Sequence, residues 1–98
     1  TNMVEIKDIK EGDELIAVEN CYLNNDQIGY PIPFIKKHHS YTIERIVHEA
    51  IDYLTPEWYI KIVDEHGEDH FFSLKHISPS NMKGNDTMFQ LSSQKDYA

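Results

Sequence analysis

The stretch that decides the fold reads WYIKIVDEHGEDHFFS and spans residues 58–73. β-Branched and aromatic residues stand on both sides of an acidic turn that contains one glycine, a pattern typical of a β-hairpin. Gly67 can adopt the left-handed backbone conformation that a three-residue hairpin loop requires. The pattern therefore predicts two antiparallel strands joined by a tight turn.

Two registers of this hairpin are compatible with the sequence. If Asp64 pairs with Glu68, Ile62 lies opposite His70, whereas a two-residue loop would pair Ile62 with Phe71 and turn Phe71 inward. We expect the first register. In this register, one face of the hairpin carries the side chains of Ile60, Ile62 and Phe72.

Three further segments have the composition of short strands. Residues 14–18 form an apolar run after a Gly-Asp turn, typical of a strand that is buried on both faces. Residues 40–47 and 87–91 are rich in β-branched and aromatic side chains. Between the first two segments, residues 19–40 hold asparagines and prolines that disfavour a central strand.

Two shorter segments complete the pattern. Residues 74–77 precede a Ser-Pro pair and predict a single 3₁₀ or α turn before the last strand. Residues 49–54 are compatible with a short helix or with a bulged continuation of the preceding strand, and the sequence leaves both open.

This order of elements resembles the small SH3-like proteins of bacteriophage and bacterial genomes. The resemblance rests on GDEL at 12–15, YTI at 41–43, YIKI at 59–62, DEHG at 64–67 and HFF at 70–72. It implies an all-β fold: a small SH3-like five-stranded barrel with a long first loop and a one-turn helix before the last strand. Peptide-binding SH3 domains carry Ala-Leu-Tyr-Asp-Tyr at the first strand, where this chain reads IAVEN at 16–20. The aromatic floor for proline-rich ligands is therefore not evident there.

The size of the chain predicts one domain. Its 98 residues are sufficient for one small core. We expect a single SH3-like domain over residues 1–91 and a flexible C-terminal tail over 92–98. The lone Cys21 excludes an internal disulfide, and no apolar run is long enough to span a bilayer. Both features favour a cytoplasmic protein without membrane contact.

The charge of the chain favours a basic partner. Its net charge is −8, and residues 44–69 hold eight acidic side chains against two basic ones. Such a field repels nucleic acid, because binding to phosphates requires cations. A negative domain can instead select a positively charged protein surface. We therefore expect an acidic protein-binding module. The resemblance to small phage proteins further implies a phage-encoded inhibitor or adaptor.

The apolar first loop supplies candidate anchors for this partner. Large aromatic side chains give contact area at small entropic cost. The predicted partner-binding residues are Tyr22, Tyr30, Phe34, Tyr53, Trp58, Asp64, Glu65 and Glu68. Two alternatives remain open: the loop aromatics fold back over an open barrel end, or they form a homodimer interface.

The alternative function is a nucleic-acid-associated barrel. Lys36 and Lys37 lie near Tyr41 in the sequence, and such a cluster can hold phosphate and stack bases. The six histidines have no metal-ligand spacing, and the chain has no phosphate loop or nucleophile motif. We therefore expect no metal, no cofactor, no catalytic residue and no enzyme activity.

Overall fold

The computed structural model describes residues 4–22, 32–50, 56–80 and 82–92. The predictions for Tyr30, Tyr53 and most of the C-terminal tail fall outside these residues. Within them, short 3₁₀ turns span Ile6–Asp8 and Leu74–His76. The strands are β1 (Glu14–Ala17), β2 (Cys21–Tyr22), β3 (Pro33–Ile35), β4 (Ser40–Thr42), β5 (Arg45–Glu49), β6 (Glu57–Val63), β7 (Asp69–Ser73), β8 (Ile77–Ser78) and β9 (Phe89–Leu91).

The described strands form three separate sheets. One sheet has the order β4-β1-β9-β8, a second pairs β2 with β3, and a third has the order β5-β6-β7. The prediction of an all-β fold is therefore confirmed, since both helical segments are single 3₁₀ turns. The prediction of a five-stranded barrel is wrong for the described strands, because their sheets are open and no pairing between them joins one sheet to another.

The separation of the sheets begins inside a segment predicted as one strand. The first half of residues 40–47 pairs with β1, and the second half pairs with β6. Between the halves, Ile43 is fully buried, and its N–H and C=O bond to Asp13 and Gly12 beside β1. A chain that changes sheet in this way turns a corner between two packed layers. The corner places β5 in a different sheet from β4.

The β6–β7 hairpin has the expected register. Ile62 lies opposite His70, and the N–H of Asp64 donates to the carbonyl of Glu68 at 2.8 Å. Gly67 has a φ of +83°, the left-handed conformation that the three-residue loop requires. The local sequence therefore determined both the turn and the pairing.

The core lies between the β4-β1-β9-β8 sheet and the β5-β6-β7 sheet. The predicted core residues Leu15, Ile43, Ile60 and Ile62 are fully buried, and Phe72 packs against them half-buried. Ile35, Ile77 and Phe89 are also fully buried. β1 is less buried than predicted, because Leu15 and Ala17 face the core while Glu14 is exposed and Ile16 half-buried.

The described residues of the long first connection between β1 and β4 do not form part of a central sheet, as its prolines predict. It contributes the short β2–β3 ladder, in which Cys21 lies opposite Ile35 and Tyr22 lies opposite Pro33. Phe34 and Ile35 pack into the core rather than facing outward. The expectation that this loop displays all its rings is therefore wrong for Phe34, because apolar burial favours the core.

Gly67 is the position where the fold depends on a missing side chain. In Gly67→Ala, we expect about 1 kcal/mol lower free energy of unfolding, because L-residues are strained at positive φ. The space around a Cβ at this position is open, so the cost comes from the backbone. Urea denaturation measures the change.

The matched control is Gly84→Ala. A Cβ there meets Thr87 Oγ1 at 3.6 Å, an ordinary contact, without a left-handed φ. We expect a change below about 0.5 kcal/mol. Equal losses in the two variants would contradict the role of the left-handed turn.

Candidate functional site

The predicted partner-binding residues divide into exposed and buried groups. Tyr22 is 49% exposed and Trp58 is 39% exposed, so both rings are available to a partner. Phe34 and Asp64 are buried, so neither presents a side chain to a partner. Tyr30 and Tyr53 lie outside the described residues. The structure thus separates exposed rings from side chains that pack within the fold.

The Asp64 carboxylate forms its hydrogen bonds within the hairpin. Its Oδ1 accepts hydrogen bonds from the N–H groups of His66 at 2.7 Å and Glu68 at 2.9 Å. Its Oδ2 lies 2.6 Å from Nε2 of His70, and the His70 ring stacks on Phe34 with centroids 4.4 Å apart. The carboxylate therefore fixes the turn and connects it to β3.

These bonds determine the ionisation of Asp64. Burial by itself would raise the pKa of this carboxyl, but the N–H groups of Glu68 and His66 and the His70 ring outweigh that effect. The pKa of Asp64 is therefore lowered from its ordinary value. Hydrogen bonds that favour the charged form of a carboxyl produce this shift.

Glu65 makes a second connection between the hairpin tip and the β3–β4 region. Its backbone N–H donates to the Phe34 carbonyl at 3.1 Å, and its Oε2 accepts from the Tyr41 hydroxyl at 2.9 Å. Its Oε1 lies 3.1 Å from His39 Nδ1 and 3.8 Å from Lys36 Nζ. The hydrogen bond from Tyr41 is the main cause of the lowered pKa of Glu65.

Tyr41 is unsuited to the base stacking that the alternative function required. Its ring is only 5% exposed and packs edge-on against Phe89. Its hydroxyl accepts from the Lys36 N–H at 2.7 Å while donating to Glu65. Burial is the main cause that raises the pKa of Tyr41 to about 12. Tyr41 therefore does not provide the aromatic platform beside Lys36 and Lys37 that the sequence predicted.

An apolar groove lies beside Trp58, at the end of the β5-β6-β7 sheet. Its volume is about 420 Å³. Trp58 lies opposite His48 in the β5–β6 register, and the two rings approach to 4.7 Å between centroids. The described lining residues are Val4, Glu5, Ile6, His48, Pro56, Glu57, Trp58, Ser73, Leu74 and Lys75.

Carboxylates mark the same end of the sheet. Glu49 and Glu57 lie directly opposite each other across β5 and β6, and both are exposed. Glu57 also accepts a hydrogen bond from the Ser73 hydroxyl at 3.3 Å. Like charges in directly opposed positions destabilise a sheet. A cation from a partner would relieve this repulsion.

The sequence analysis did not identify most of the residues that line the groove. Trp58 was predicted as an anchor, but the apolar residues before β1 and at the 3₁₀ turn after β7 carry no local binding motif. The available signal was the strand pairing itself, since a correct β5–β6 register places His48 opposite Trp58. That register depended on residues 49–54, which the sequence left ambiguous.

Cys21 is not among the described residues that line this groove. Cys21 is buried, and burial raises the pKa of its thiol, with Glu19 adding to the shift. Within the described residues, no three His, Cys, Asp or Glu side chains lie close enough together to hold a metal ion. The described helical segments include none that is long and apolar enough to cross a membrane.

Comparison of the chain with protein-family models, with curated proteins and with solved structures finds no match in any of the three.

The lowered pKa of Asp64 predicts a pH-dependent loss of stability. The ionised form contributes stability above the unfolded pKa of about 4, and the contribution is lost as pH falls through the lower folded pKa. Asp64→Asn removes this contribution, and we expect about 1–3 kcal/mol destabilisation at neutral pH. The gap between the two proteins should narrow below about pH 4.

Urea denaturation at a series of pH values measures the gap. Glu68→Gln serves as the control, because Glu68 is an exposed carboxylate of the same hairpin. We expect Glu68→Gln to differ from the original chain by less than about 0.5 kcal/mol at each pH. A constant gap between Asp64→Asn and the original chain would refute the assigned role of the carboxylate.

Proposed function

We propose that the chain is a non-enzymatic module that binds a basic segment of a partner protein through the groove at Trp58. The observation that carries this proposal is the exposed Trp58 ring in an apolar groove on a chain of net charge −8. Tryptophan in a pocket is a frequent energetic centre of protein interfaces.

The chemistry of the groove supports a segment with both apolar and cationic side chains. Val4, Ile6 and Leu74 offer apolar contact next to the Trp58 ring. The opposed pair of Glu49 and Glu57 favours a positive charge at the rim, where Lys75 is the only Lys or Arg among the described lining residues. A guanidinium or ammonium group can also contact the face of an indole.

The internal hydrogen bonds of the hairpin carboxylates narrow the set of acidic residues that we propose for partner binding. Asp64 and Glu65 satisfy their oxygens within the fold, so they contribute less to partner contact than their sequence position indicated. Glu68 stays exposed. The proposed electrostatic selection therefore depends on the carboxylates at the sheet ends rather than on the whole acidic turn.

The strand pairing supports the proposed kinship with small SH3-like proteins. β1 lies between β9 and β4, and the continuing chain forms the β5-β6-β7 meander with a 3₁₀ turn after it. The tight late hairpin and the single turn before the last strand follow along the chain in the order that the resemblance implies, although the sheets are open. We retain phage origin and an inhibitor or adaptor role as parts of the same proposal. A cytoplasmic location belongs to the same proposal.

Affinity capture from the source cells, with the chain and with Trp58→Ala as baits, tests the function. We expect a partner protein whose affinity falls about 30-fold or more in Trp58→Ala, as for an interface hot spot. Its binding should weaken as salt rises from about 0.05 to 0.5 M, because salt screens charge attraction. Trp58 is the only tryptophan, so its fluorescence reports binding of the purified partner.

Tyr22→Ala is the matched control, since Tyr22 is an exposed aromatic residue that does not line the groove. We expect it to bind the partner like the original chain. If Tyr22→Ala lost binding while Trp58→Ala kept it, the groove would be rejected and the binding site would be assigned to the first loop. A partner bound equally at all salt concentrations would contradict the electrostatic part of the proposal.

A further inference from the structure

The outer edge of β7 pairs with no other strand of the described residues. β7 is the last strand of the β5-β6-β7 sheet, and His70 lies opposite Ile62 in it. The N–H of Asp64 bonds to Glu68 at the hairpin end, and bonded pairs alternate along an antiparallel ladder. The backbone groups of Asp69 and Phe71 therefore point away from β6.

Nothing described in the structure satisfies these groups. No hydrogen bond from residues 4–22, 32–50, 56–80 or 82–92 reaches the backbone of Asp69 or Phe71 on that side. The opposite edge of the same sheet differs, because Glu11 Oε2 accepts from the N–H of Ile46 in β5 at 3.3 Å. Proteins usually cover or block such edges, and β7 contains no proline or lysine that would do so.

The side chains along this edge are apolar in the centre and acidic at one end. Phe71 is 46% exposed, and Val63, its diagonal neighbour on the same face of the sheet, is 37% exposed. Asp69 lies two residues before Phe71, bridged to Lys61 at 3.5 Å with its side chain 55% exposed. Glu68 adds a second exposed carboxylate at this end.

We propose that the outer edge of β7 binds an extended basic segment of the partner protein as an added antiparallel strand, with an apolar residue opposite Phe71 and Lys or Arg opposite Asp69. In an antiparallel strand, the residue opposite Asp69 follows the residue opposite Phe71 by two positions. The segment therefore has the pattern apolar-x-Lys/Arg. Main-chain hydrogen bonds supply affinity in this mode, and the alternate side chains supply specificity.

This inference rests on the proposed function and names its binding mode. The edge leads into the groove, since Ser73 ends β7 and Ser73, Leu74 and Lys75 line the groove beside Trp58. One extended segment can thus pair with β7 and continue toward the Trp58 ring. The two surfaces are adjacent but depend on different residues.

A second copy of the chain fits the edge less well. Two β7 strands paired antiparallel about Phe71 would place Asp69 opposite Ser73 of the other copy, so the second copy would supply no cation opposite this carboxylate. Each copy also carries a net charge of −8, which opposes association. An extended basic segment would supply hydrogen-bond partners for the outward backbone groups of β7 and a positive charge opposite Asp69.

The test begins with selection of random displayed peptides on the full chain, followed by synthesis of the most enriched peptide. We expect it to contain apolar-x-Lys/Arg. On binding, hydrogen exchange of the Phe71 amide should slow about tenfold or more, because that N–H gains a partner. The Phe72 amide already faces β6 and should change much less.

Two edge variants then separate backbone pairing from side-chain contact. Phe71→Pro removes the outward N–H and should abolish binding, while an edge strand tolerates proline at such a position. Phe71→Thr keeps the N–H and should retain measurable binding. Circular dichroism checks that both variants are folded, and the exchange measurement on the unmodified chain does not depend on either variant.

A charge exchange tests the register independently. Asp69→Lys should weaken the selected peptide about fivefold, and a peptide with Glu in place of its Lys or Arg should recover that loss. Failure of the exchanged pair to recover affinity would overturn the assigned register.

The remaining outcomes overturn the inference in distinguishable ways. Peptides that bind Phe71→Pro normally but not Trp58→Ala would reject the strand edge and leave the groove as the binding site. A selection that enriches no peptide would reject both the edge and the proposed function. A dimer of the unmodified chain in sedimentation equilibrium that Phe71→Pro abolishes would assign the edge to a second copy.

Discussion

The hydrogen bonds of the Asp64 carboxylate support much of the remaining structure. This single side chain holds the two N–H groups of the hairpin turn and the His70 ring, which in turn stacks on Phe34. A buried carboxylate is costly unless its oxygens are satisfied, and here they are. The turn, the β7 register and the position of β3 therefore depend on one another.

Because of this arrangement, the acidic composition overstates the number of carboxylates that can contact a partner. Net charge describes the field around a protein, but a carboxylate that is bonded internally offers fewer free oxygens to a partner. Asp64 and Glu65 belong to this second group, whereas Glu49, Glu57 and Glu68 stay exposed. Within the β5-β6-β7 sheet and its hairpin turn, these exposed carboxylates lie at the two ends.

The corner at Ile43 gives the molecule its two candidate surfaces. Because β5 leaves the sheet that contains β4, β6 and β7 extend away from β1 as a separate layer. One end of that layer forms the Trp58 groove, and the outer edge of its last strand pairs with no described strand. A closed barrel would have no such edge, since closure pairs every strand.

The sequence by itself determined the β6–β7 hairpin, its register and most of the core, because these depend on alternation and turn chemistry between near neighbours. The one-turn segment before the last strand was also predictable from Leu74–His76 and its following Ser-Pro pair. Long-range packing decided the rest. Four features each join residues that are distant in sequence. They are the burial of Phe34, the internal hydrogen bonds of Asp64 and Glu65, the separation of β4 from β5, and the groove at Trp58. Local patterns cannot rank such contacts, because their free energy comes from desolvation and hydrogen bonding that exist only once the layers have packed.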